Sequence, residues 1–312
     1  MKRRVFIGSL GCAAAAVAWL GAARAQQQPA QMKRVGVLMA HAETDPEFQD
    51  YLAAFRAELQ KLGWTEGRNL RIDARWGALD DAEVRQRSAN ELIAMQPDVI
   101  LTQNTPPTAT IVESLARPGG NATGFIVMEP TIAGKWLELL KEIAPRVKRV
   151  AFLFNPATTP FADIYLNPFK AAAPSFAMEA IAAPVHEASD LEGVFATQAR
   201  EPNTGLLVMP DGFLNVHRVE IVSLAARYGL PTVYPWRFFP ELGGLLSYGN
   251  EQRDSFRLAA TYVDRILKSE KPSELPVQAP VKFELVINMK TAKALGLDVP
   301  VLLQQRADKV IE

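Results

Sequence analysis

Cysteine is almost absent from the 312-residue chain: its one example, Cys12, sits close to the N-terminus. The remainder therefore has no thiol for a disulfide, a thiolate nucleophile or a sulfur-ligated metal. Histidine is nearly as scarce, and His41, His186 and His217 are too scattered to form a metal-spaced pair. The glycines build no Gly-x-Ser-x-Gly elbow and no Gly-x-Gly-x-x-Gly turn after the first strand. Gly119 to Gly124 lacks the Lys-Ser/Thr of a phosphate loop. Asp80 and Asp81 are adjacent, so they point to different faces of a helix and read as a helix-start signal before a catalytic pair. Basic and acidic residues balance at 34 each, which removes the positive field of a nucleic-acid binder. These absences predict a chain with no catalytic centre, no metal and no cofactor.

The N-terminus is the most informative short stretch. Met1-Lys2-Arg3-Arg4 is basic, Val5 to Ala22 is apolar, and Ala23-Arg24-Ala25 is a small-x-small exit. Those are the three parts of a secretory signal peptide, predicted to span 1–25. Gly8, Gly11 and Gly21 break the apolar run and count against a membrane anchor. Arg3-Arg4 also fits a twin-arginine signal, which leaves the route open between that and Sec. Cys12 lies too early for a lipoprotein signal, with Ser9 where a leucine is needed. Removal of residues 1–25 takes four of the 34 basic residues and no acidic ones, leaving 30 against 34 and a net charge of −4. The expected location is periplasmic, and residues 26–32 read as a flexible leader.

From Lys33 onward apolar β-branched runs alternate with helical spacing. Strands are predicted at 34–39, 69–76, 98–102, 149–154, 180–184, 205–209 and 231–234. Helices are predicted at 47–62, 80–95, 135–144, 168–179, 190–199, 216–228 and 251–267, with a break at Pro174. The alternation argues for an α/β chain of parallel sheets wrapped by helices, in two lobes. The turn-rich Arg117 to Asn121 marks the boundary. The first lobe spans 33–121, completed by about 246–272; the second spans 122–245, completed by 273–312. Repeated crossing between lobes makes a hinge.

Ligands of open α/β sheets bind beyond the carboxyl ends of the strands. Those ends carry Met39, Ala40 and His41; Trp76; Asn104 and Thr105; Asn155 and Thr158; Asp211; and Tyr234 with Trp236. Amides, hydroxyls and rings suit a small organic solute. For each residue alone a turn or cap role is equally available, as for Asn155 before Pro156.

Several stretches resemble the ABC-transporter substrate-binding family that includes tryptophan-binding members. They are Gly63-Trp64-Thr65-Glu66-Gly67-Arg68-Asn69-Leu70, Arg117-Pro118-Gly119-Gly120-Asn121, Phe154-Asn155-Pro156, Gly243 to Gly249, and Phe283-Glu284-Leu285-Val286-Ile287-Asn288. The resemblance implies a type I-like two-lobe periplasmic-binding-protein fold, no catalysis, a monomer, a small amino-acid-like ligand and a permease of the inner membrane as partner. By position it implies that Met39 to His41, Asn104-Thr105, Asn155 to Thr158, Asp211 and Tyr248 line the cleft. One departure stands out: Thr108-Ala109-Thr110-Ile111 runs straight into Val112-Glu113-Ser114-Leu115, where similar proteins place a helix and a strand. A parallel crossover needs about a dozen residues or more, so the first lobe is expected to lack one helix–strand unit. Weak binding, or binding of a different solute, is the expected result. Two other classes share the pattern: a periplasmic α/β enzyme and a ligand-sensing partner of a membrane receptor.

Overall fold

The computed structural model describes residues 32–77, 82–103, 122–126 and 128–312. The expected signal peptide, most of the leader, the Asn104-Thr105 loop and the Ile111–Val112 junction lie outside the described residues.

Short β-branched runs become the strands of two sheets. The smaller holds β1 (Lys33–Met39), β2 (Leu70–Trp76) and β3 (Val99–Thr102) in the order β2-β1-β3, all parallel. The larger holds β4 (Arg149–Phe154), β5 (Glu179–Pro184), β6 (Thr204–Val208), β7 (Thr232–Tyr234), β8 (Leu246–Asn250), β9 (Phe283–Asn288) and β10 (Lys309–Ile311). Its order is β10-β9-β8-β7-β6-β4-β5, parallel except for β8 against β9. Parallel strands need helical crossovers. They are α1 (Pro46–Lys61), α2 (Ala82–Ala94), α3 (Ile132–Ile143), α4 (Asp163–Ala172), α5 (Asp190–Ala199), α6 (Gly212–Val216) and α7 (Arg218–Arg227). Four more follow: α8 (Phe238–Glu241), α9 (Gln252–Leu267), α10 (Met289–Ala294) and α11 (Val301–Arg306).

Two cores result. In the larger lobe Trp136, Phe152, Phe169 and Phe195 are buried among the residues of β4, β6 and their helices. In the smaller lobe Phe48, Phe55 and Leu59 of α1 pack with Phe256, Ala260, Val263 and Leu267 of α9. Trp64 donates its indole N–H to Asp264 at 2.8 Å and ties the same two elements.

The chain therefore crosses between lobes more than once. The second crossing falls at Glu251 rather than before residue 246: β8 stays in the larger sheet, and only α9 returns to the smaller lobe. Segments 124–126 and 278 run side by side, with Ile126 N–H donating to Gln278 O and Gln278 N–H to Gly124 O. Gly249 is forced by close approach, since a Cβ there would lie 1.9 Å from Pro235 O.

Two helices differ from expectation. The stretch predicted as 168–179 is α4, ending at Ala172, followed by a 3-10 turn at Ala173–Phe176 and Ala177 in the left-handed region. Pro174 takes the start of that turn, where its missing N–H costs nothing. The predicted helix 216–228 is α7, and a separate short helix, α6, precedes it and ends at His217.

Candidate functional site

The carboxyl ends of both sheets meet at one interlobe seam. Asp45 follows β1 and caps α1, its Oδ1 accepting from Glu47 N–H at 3.2 Å. Its other oxygen accepts from Arg218 of α7 at 2.6 Å, across the seam. Arg218 also donates to Asn215 O at 3.0 Å and lies 5.4 Å from the Phe238 ring centroid. The pair is partly buried on both sides and joins an element of one lobe to an element of the other.

On the smaller lobe's side, Met39, Ala40 and His41 are buried together. Met39 O accepts from Gly77 N–H at 2.7 Å, joining the ends of β1 and β2. The His41 ring stacks on Phe48, centroids 3.5 Å apart. Burial lowers the His41 pKa to about 4; Asp45 opposes that shift and Arg218 adds to it. Trp76 is half-buried at the end of β2, packed against the smaller core.

On the other side, Asn155, Thr158 and Asp211 form one network. Asp211 is 1% exposed and accepts from Asn155 N–H at 2.8 Å, Thr158 Oγ1 at 2.7 Å and Phe213 N–H at 2.7 Å. Burial pushes its carboxyl up, against the Thr158 hydroxyl and the backbone donors. Asp211 thus shapes the loops after β4 and β6. Tyr234 is fully buried, stacked on Phe239 at 4.7 Å, and lines a separate small void under Gly243 and Gly244. Tyr248 stacks on Phe283 at 5.6 Å, and its carbonyl accepts from Trp136 Nε1 at 2.7 Å. Trp236 lines an interlobe cavity of about 220 Å³, opposite Glu47 and Tyr51 of α1. A second cavity, about 180 Å³, runs beside β3 between Phe125 and α9 and has mostly apolar walls. Asn250 borders both.

Of the residues expected from sequence, Trp236 lines the interlobe cavity, His41 lies near Asp45 and Arg218, Met39, Ala40 and Trp76 pack in the smaller lobe, Asn155, Thr158 and Asp211 brace each other, and Tyr234 and Tyr248 pack in the larger lobe. Asn104 and Thr105 fall outside the described residues. Arg218 is absent from the residues expected from sequence, because its partner lies 173 residues away. Among the described residues no group of His, Cys, Asp and Glu could hold a metal ion, and no helix is long and apolar enough to cross a membrane.

The family model described as ABC transporter substrate binding protein matches residues 91–311. A tyrosine-binding protein of Clostridioides difficile (strain R20291) is 22% identical over 292 residues, covering 86% of this chain and 82% of that protein. Among solved structures, an ABC domain in complex with L-Trp from Streptococcus pneumonia superposes with a TM-score of 0.81 at 22% identity, covering 89% of this chain and 99% of that one. A conserved domain protein from Vibrio cholerae also reaches 0.81 at 22% identity, with 90% and 100% covered. A ligand-free, open substrate binding protein from Clostridium difficile reaches 0.64 at 20% identity, with 89% and 99% covered.

Proposed function

Since the chain belongs to the ABC transporter substrate-binding proteins, we propose that it is the exported binding component of an importer, closing two lobes over a small amino acid. The observation that carries this reading is the Asp45–Arg218 pair spanning the seam beside a cavity walled by both lobes. A solute in such a cleft touches both walls only when the lobes are shut, so it shifts the population toward the closed form. The tyrosine-binding relative and the L-Trp complex support an aromatic amino acid as the ligand class. The matched relatives are binding proteins rather than enzymes, which supports a role without turnover. On this reading the partner is an ABC permease of the inner membrane and the compartment is the periplasm.

The test is titration of the purified protein with L-tyrosine, L-tryptophan and neutral solutes. An aromatic amino acid is expected to bind saturably and, at a hundredfold excess over Kd, to stabilise the fold by about 2.7 kcal/mol. Arg218→Ala is expected to weaken binding by about 1.5–3 kcal/mol, the worth of a charged hydrogen bond. Saturable binding of some other solute class with no response to amino acids would sink the ligand assignment. Among the described residues the smaller sheet has three strands, which supports a second reading, weaker affinity or a changed solute. Tight binding of either aromatic amino acid removes it.

A further inference from the structure

A carboxylate is costly where Asp211 stands. It is 1% exposed, and its hydrogen-bond partners are neutral. One oxygen accepts from Asn155 N–H at 2.8 Å and Thr159 Oγ1 at 3.4 Å, the other from Thr158 Oγ1 and Phe213 N–H at 2.7 Å each. Among the described residues no cation pairs with it. Neutral donors offset the desolvation of a buried carboxylate only in part. A helix cap alone does not call for that cost, since asparagine and serine cap as well. What a carboxylate offers is acceptance on both oxygens at once; an amide in its place would turn an N–H toward one of the donors. Asp211 therefore fastens the loop after β4 to the start of α6.

The fastening has a far end. Asn215 lies in α6, four residues on, and is 4% exposed. Its carbonyl accepts from Arg218 Nη1 at 3.0 Å. Arg218 Nη2 donates to Asp45 at 2.6 Å, and Asp45 caps α1 of the smaller lobe. The Phe238 ring, 5.4 Å from the guanidinium, attracts a cation over its face. That attraction does not choose which way the fork points. The Asn215 carbonyl does, because it claims one amino group and leaves the other aimed at Asp45. A helix as short as α6 moves as a unit, so the residue that fixes its first turn also fixes Asn215 O. Asp211 and Asp45 thus cap the helices that follow β6 and β1, and one arginine joins them across the seam.

We propose that Asp211 is the positioning residue of the seam: through α6 it holds Arg218 in line with Asp45, so that the loop after β4 and the closing of the lobes move together. The assignment rests on the solute-binding reading above and adds how a solute held by the larger lobe is felt by the smaller one. Contact with the Asn155–Thr158 loop steadies Asp211, and with it the hold on Asp45. Asp211 itself lies behind that loop and does not touch the solute.

Two readouts test this, one of them without solute. In nitrogen-labelled protein the guanidinium signals of Arg218, identified by their loss in Arg218→Ala, are expected to stand apart from the other arginine signals and to merge with them in Asp211→Asn. Thr158→Val removes one donor and keeps the carboxylate; it is expected to shift the same signals less far, and it serves if Asp211→Asn does not fold. Glu138→Gln, in an exposed pair within α3, is expected to leave them in place. In titrations with L-tyrosine and L-tryptophan, Asp211→Asn is expected to weaken binding about tenfold in the native background. In the Arg218→Ala background the same change is expected to cost less than about twofold, because both act through one contact. Losses that multiply, or Arg218 signals unmoved by both Asp211→Asn and Thr158→Val, would overturn the positioning role and leave the solute-binding reading standing. Signals that follow Asp211 in a protein that binds neither amino acid nor any neutral solute would overturn the solute-binding reading and keep the link from Asp211 to Arg218.

Discussion

His41 is neutral because its surroundings exclude water, and that has a measurable sign. Its pKa in the folded protein is about 4, against an ordinary 6.5 in the unfolded chain. The unfolded chain therefore takes up a proton between those values while the folded one does not. The contribution is fully present above pH 6.5 and is lost as pH falls toward 4, at up to about 1.4 kcal/mol per pH unit. Denaturant midpoints at pH 7 and pH 5 are expected to differ more for the native protein than for His41→Phe; parallel curves would refute the assignment. At this scale the sequence marks strand ends rather than contacts. Asn155, Thr158 and Asp211 stood out as polar residues at strand ends, where topology places ligands. It could not disclose that they satisfy one another, or that Arg218 finds Asp45, because pairing over 173 residues leaves no local trace. Asn250 Oδ1 and Trp236 Nε1 lack partners among the described residues, which is a property of the folded surroundings.

Elements were legible where apolar spacing alone decides them. Strands β1, β4 and β6 and helices α1, α5 and α9 fall within a few residues of their expected limits. β8 was read as a glycine-rich passage because Leu246-Ser247-Tyr248-Gly249-Asn250 has little strand character of its own. It becomes a strand by pairing with β7 on one edge and β9 on the other. Its glycine offers a test beside a contrasting one. Gly249→Ala would press a methyl onto Pro235 O and is expected to cost about 1–3 kcal/mol, as overpacking does. Gly193→Ala, within α5 and with nothing within 4 Å of the added carbon, is expected to stabilise by about 0.5–1 kcal/mol. Thermal midpoints that move in the same direction would show that the close approach at Gly249 is not what fixes β8.

At the scale of the molecule the lobes are unequal. Among the described residues the larger buries a seven-stranded sheet under several helices; the smaller shows three strands, with each residue of β3 only part-buried. Local opening free energy follows buried apolar contacts. Amide hydrogen exchange is therefore expected to be faster in β1, β2 and β3 than in β4 and β6, and α9 is expected to exchange with the smaller lobe despite its late position. Uniform protection would contradict this division. The pairing of α1 with α9 also sets an order of assembly. Trp64 waits for Asp264, 200 residues downstream. A nascent chain ending before Glu251 has β1, β2 and β3 and no α9 to cover Phe48, Phe55 and Leu59. The lobe that leaves the ribosome first thus stays uncovered until Leu267 is made, and the larger one stays short of β9 and β10 until Ile311 follows.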